Sequence, residues 1–89
     1  MTATSNSSKT KLWVDLDTAS EITAVNVGTL LDWQSFFYPF LSPEIVKGEP
    51  RYTKADLDVV LQIKRLIHQG GFKKEGAKRA LAWNFKRVA

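Results

Sequence analysis

Residues 57–67 constrain this chain most. Leu57, Val59, Val60, Leu61, Ile63, Leu66 and Ile67 fall on about 220° of a helix turning 100° per residue. Asp58, Gln62, Arg65 and Gln69 form the wet stripe. A helix apolar over that much of its surface belongs inside a small domain, flanked by other elements. Thr53 is the expected N-cap, with Asp56 as a short capping-box partner. Gly70-Gly71 ends the helix, because a left-handed residue past a C-terminus costs least as glycine. A second helix is predicted from Lys74 through Ala77, Ala80, Leu81 and Phe85.

Eighty-nine residues with ten aromatics supply one modest core and leave no room for a large enzyme cleft as well. The absence of cysteine excludes disulfides and thiolate metal sites. No run approaches the roughly 18 apolar residues of a membrane span, so no membrane partner is expected. Residues 1–10 read as a disordered tail and 11–89 as one domain. Charge is segregated. Residues 1–50 hold three Lys/Arg against six Asp/Glu, and residues 51–89 hold ten against three. A basic half on a small domain points to a polyanion partner.

Lys11-Leu12-Trp13-Val14 is predicted as a brief strand or an extended entry to the core, by the β propensity of Trp13 and Val14. Thr18-Ala19-Ser20-Glu21 matches a capping box and predicts a short helix with Ala19, Ile22 and Val25 inward. Asn26 is the next N-cap, and Leu30, Trp33 and Phe37 continue an inward stripe. Two short helices so joined have the helix-turn-helix outline. Pro39 and Pro43 exclude a continuous helix over residues 38–43. Ile45-Val46 and Arg51-Tyr52 are predicted as the arms of a hairpin, with Lys47-Gly48-Glu49 as its turn. Pro50 implies an edge-type ribbon. The expected fold is mainly α: a winged helix-turn-helix with about four helices and a small β-hairpin wing.

The ordered motifs resemble the MerR-type transcriptional regulators. They are Ala19, Ala24-Val25, Asn26, Thr29-Leu30-Leu31-Asp32-Trp33, Phe37-Tyr38-Pro39-Phe40-Leu41-Ser42-Pro43, Arg51-Tyr52-Thr53, Asp56-Leu57, Ile63-Lys64-Arg65-Leu66, Gly71, and Gly76-Ala77 with Leu81. The similarity covers about Leu16 to Leu81. It implies the DNA-binding domain of a bacterial, cytoplasmic, nucleoid-associated regulator, with double-stranded DNA as partner. The departures are local. Leu31 stands where the family carries Arg on its recognition helix, with Asp32 beside it. No Lys or Arg occurs between Val27 and Pro39. The family's dimerising helix would come after Ala89, so a dimer is expected only through a segment missing from this chain.

The resemblance implies phosphate contacts at Lys47, Arg51, Tyr52, Lys54, Lys73 and Lys74, the last two in a basic turn before the final helix. Thr29, Asp32 and Gln34 are the candidates for facing bases, if the helix enters the major groove. The alternative is a repurposed winged-helix adaptor that binds a protein through Leu31, Phe36, Tyr38 and Phe40. Trp33 and Trp13 are expected in the core. Trp83 covers the end of the core or contacts a partner helix. His68, the only histidine, reads as an ordinary helix-end residue, and no metal or cofactor is expected. No nucleophile elbow or glycine-rich phosphate loop occurs, so the chain is not expected to be an enzyme.

Overall fold

The computed structural model describes residues 12–88, with side chains described through Trp83. The expected tail, Lys11 and the Phe85 side chain lie outside the described residues. The elements are β1 (Trp13–Val14), α1 (Leu16–Thr23), α2 (Val27–Phe36), β2 (Glu44–Val46), β3 (Glu49–Thr53), α3 (Lys54–Lys64) and α4 (Lys74–Val88). A π-helical turn, Arg65–Gln69, extends α3. The architecture is a mainly α winged helix-turn-helix.

The α1–α2 unit is held by local chemistry. Asp15, not Thr18, caps α1: its carboxylate accepts from the Thr18 backbone N–H at 2.9 Å. That bond also holds the Asp15 carboxyl below its ordinary pKa. The helix therefore starts three residues before the sequence motif suggested, and Ile22 turns outward, 54% exposed. Buried Thr23 takes the inward position instead. Its hydroxyl donates to the Ala19 carbonyl at 2.7 Å and accepts from the Val25 N–H at 3.3 Å. Ser20 donates to the Val25 carbonyl at 2.6 Å. Lys64 reaches from α3 to the Thr23 carbonyl at 2.9 Å, so a cation closes the C-terminal end of α1. Asn26 caps α2 as expected, accepting from the Gly28 N–H at 2.8 Å.

Ala24 links the two helices in the left-handed region, φ 61°. An L-residue is strained there by about 1–2 kcal/mol relative to glycine. Ala24→Gly is expected to raise stability by about 0.5–1 kcal/mol, after subtracting the extra freedom glycine gives the unfolded chain. Urea unfolding measures it; a loss would mean the strain is relieved elsewhere.

The sheet has three antiparallel strands in the order β1-β3-β2. The β2–β3 turn is two residues, Lys47-Gly48, at φ 53° and 80°. Glu49 is already paired with Val46, so it is strand and not turn. Two positive φ values match the twist of a tight hairpin. Pro50 sits in the central strand, contrary to its expected edge position. It is tolerated because β1 pairs only with Tyr52 and Thr53, leaving Pro50 facing β2 alone.

The capping box at α3 forms in full. The Thr53 hydroxyl accepts from the Asp56 N–H at 3.3 Å, and Asp56 accepts from the Thr53 N–H at 3.0 Å. Such a cap contributes about 1 kcal/mol. Along α3, Val60 and Ile63 are fully buried. Leu57, Val59, Leu66 and Ile67 are only partly buried, and Leu61 is exposed. The helix is therefore less enclosed than its apolar arc suggested. Its last turn widens: the Gly70 N–H donates to the Arg65 carbonyl at 3.0 Å. Gly71, at φ 72°, then turns the chain into α4, which adds Ala77 and Leu81 to the core. Leu30, Trp33, Phe37, Leu41 and Tyr52 complete it.

Candidate nucleic-acid interface

Helix α2 carries the stripe that fixes its orientation. Leu30, Trp33 and Phe37 point into the core, so the opposite face must be outward. Leu31 is 43% exposed, Asp32 is exposed, and Thr29 is half-buried. Leu31 lines an open groove of about 440 Å³ with Asp15, Leu16, Asp17, Gly48, Glu49 and Pro50. The hairpin tip therefore lies beside α2. The next residue, Asp32, reaches the other way. Its carboxylate meets the ammonium of Lys74, the first residue of α4, at 2.9 Å. Of these two consecutive side chains, Leu31 thus faces the groove toward the hairpin and Asp32 ties α2 to the start of α4.

The cations on this surface are held differently. Lys47 stands exposed at the hairpin tip, and Lys73 is exposed in the second turn. Lys74 is paired with Asp32, and its ammonium also lies 4.8 Å from the Phe36 ring centre, with that of Lys78 at 5.2 Å. Lys54 pairs with Asp58 at 3.2 Å, both well exposed. The Arg51 guanidinium lies over the Trp13 ring at 4.1 Å.

Two residues expected at the interface are engaged with each other inside the fold. Tyr52 is fully buried, so it does not present itself to a phosphate. Its hydroxyl donates to Gln34 Oε1 at 2.7 Å. Gln34 is half-buried and spends its carbonyl on that bond, which turns it from the groove toward the sheet. The four residues of the alternative surface do not form one patch. Leu31 belongs to the groove beside the hairpin. Phe36, Tyr38 and Phe40 line another of about 540 Å³ with Lys78 and Arg79 of α4. Trp13, expected in the core, is 45% exposed and acts as the seat of Arg51. Trp83 is exposed and does not cover the end of the core. Among the described residues no cluster suits a metal ion, and no helix is long and apolar enough to cross a membrane.

Burial pushes the Tyr52 phenol up from 10.0 to about 12, with the Asp56 charge adding to it. The folded state therefore holds this proton more tightly than the unfolded chain. Stability is intact below about pH 10 and falls as pH rises from 10 toward 12. Tyr52→Phe loses the Gln34 bond, so at neutral pH it should be less stable by about 0.5–1.5 kcal/mol. The gap to the parent protein should narrow between pH 10 and 12. Urea midpoints of both proteins across that range test this; a constant gap contradicts it.

A helix-turn-helix flanked by a β-hairpin and a second basic turn defines a winged helix-turn-helix domain. Residues 15–82 match the model of the MerR HTH family regulatory proteins, and the chain belongs to that family. It is accordingly a DNA-binding regulatory domain. No curated protein and no solved structure matches the chain.

Proposed function

We propose that this domain binds duplex DNA with α2 directed at the major groove, the hairpin tip and the Lys73-Lys74 turn gripping phosphates on either side. The observation that carries this reading is the divergence of Leu31 and Asp32, which brings hairpin, helix and basic turn onto one surface. Lys47, Arg51, Lys54, Lys73 and Lys74 are the phosphate contacts; Thr29 and Asp32 face bases. Asp is a poor neighbour for phosphate but an acceptor for the cytosine amino group. Sequence-independent attraction therefore rests on the flanks and discrimination on the helix.

The test is titration of a labelled duplex at two salt concentrations. Affinity should fall steeply with salt, and Lys73→Gln should reduce the log–log slope by about 0.9. Binding without salt dependence would exclude a phosphate-led mechanism.

Leu31→Arg tests the direction of α2. Leu31 is part-exposed beside Asp17 and Glu49, so the change should alter stability by less than ~0.5 kcal/mol. A new phosphate contact would steepen the slope by about 0.9. A guanine contact would instead give about 1–3 kcal/mol of sequence preference. Unchanged affinity in a folded variant would mean that this face of α2 does not meet DNA.

A further inference from the structure

We infer that Trp13 is the positioning residue for Arg51, and that its indole holds the guanidinium ready for a phosphodiester oxygen without neutralising it. This rests on the duplex-binding reading. The register explains how the pair arises. Trp13 lies directly opposite Thr53, and Arg51 is two residues along the same strand. Side chains alternate along a strand, so Trp13, Thr53 and Arg51 share one face of the sheet. The other face, with Tyr52 and Pro50, is buried. The diagonal distance suits a long side chain reaching an aromatic neighbour, and the guanidinium sits 4.1 Å above the ring centre.

The contrast with the neighbouring cations gives the pair its meaning. Lys74 and Lys54 are each paired with a carboxylate, which offsets part of their charge and must be given up before a phosphate takes its place. Glu44 stands directly across from Arg51, yet no ion pair joins them among the described residues. An aromatic face restrains a cation and leaves its charge intact. It covers one face of the guanidinium plane, while the N–H donors around the plane's edge stay open to a bidentate acceptor. A guanidinium so restrained loses less side-chain freedom on binding. The pair lies at the surface, since Trp13 is nearly half exposed, so the core does not depend on the indole.

The experiment uses a labelled mixed-sequence duplex and the variants Trp13→Leu, Trp13→Phe, Arg51→Gln, Arg51→Lys and the Trp13→Leu/Arg51→Gln double. NMR of the free proteins first reads the pair itself: the Arg51 side-chain protons should be shifted upfield by the indole and return in Trp13→Leu. With duplex, Arg51→Gln should reduce the salt slope by about 0.9. Trp13→Leu should weaken binding about two- to fivefold with the slope unchanged, because the charge remains. Trp13→Phe should restore most of that loss. In the Arg51→Gln background, Trp13→Leu should have no further effect. Arg51→Lys keeps charge and strand but loses the planar stack, so it should weaken binding at an unchanged slope. It carries the test should Trp13→Leu fail to fold. Salt-dependent binding by the parent protein with no slope change in Arg51→Gln overturns the inference and leaves the duplex reading standing. Equal losses from Trp13→Leu in both backgrounds overturn the positioning role alone. A parent protein that binds without salt dependence removes both.

Discussion

Phe37→Ala should lower the unfolding free energy by about 3–5 kcal/mol, the cost of deleting a buried aromatic ring and leaving its cavity. Phe37 is fully buried. Its ring meets Trp33 edge-on at 6.0 Å and Phe36 at 5.1 Å, so the loss includes the aromatic pairs as well as area. A domain of this size is typically stable by only about 4–13 kcal/mol. The variant should therefore lose a large share of its stability and unfold at a much lower urea concentration than the parent. Phe37→Leu, which refills most of the space, should cost much less. Urea unfolding followed by far-ultraviolet circular dichroism separates them. A loss below about 1 kcal/mol for the alanine variant would show that the cavity collapses, and that α2 is not anchored through this ring.

Asp32→Asn should tighten duplex binding about five- to tenfold near 0.1 M salt, the effect of one additional phosphate contact. The change removes a negative charge from α2 and frees the Lys74 ammonium, which Asp32 now holds at 2.9 Å. Both partners are substantially exposed, so the lost pair should cost stability little, within about 0–1 kcal/mol. The gain should vanish when Lys74→Gln is added. Should Asp32→Asn leave affinity unchanged, Lys74 does not lie on the path of the duplex. Should it weaken binding to one sequence and not another, Asp32 is itself reading a base, and its charge is worth more to recognition than the lysine it occupies.

The fold is legible in the sequence where its causes are local. The Thr53–Asp56 cap and the Leu30–Trp33–Phe37 stripe are contained within a few residues, and spacing alone identifies them. Ile22 marks the limit of that legibility. An eight-residue helix has too few apolar positions to fix its own phase, and the inward face keeps Ala19 but passes through Thr23 instead of Ile22. Pro50 reads as an edge residue because its strand's second neighbour lies far away in sequence. The candidate site is less legible. Asp32 and Lys74 are 42 residues apart, and Gln34 and Tyr52 are 18 apart. Charge and polarity mark each side chain as available, and only the packed chain decides which is already spent. The Trp13–Arg51 pair is hidden in the same way. Strand propensity indicates Trp13, but its partner comes from the register with β3.

The strand order β1-β3-β2 also sets a sequence of events in time. The β2–β3 hairpin closes through a two-residue turn and can form within about 1–10 μs. The β1–β3 pairing joins Trp13 to Thr53, so it must wait until the intervening helix-turn-helix has shortened the loop that closure costs. Only two residues of β1 then secure it. Among the described strands β1 should therefore dock last and detach most readily, and its amides should exchange with solvent faster than those of the hairpin. Because the Trp13 ring rides on that strand, each detachment leaves Arg51 on the hairpin without its aromatic seat.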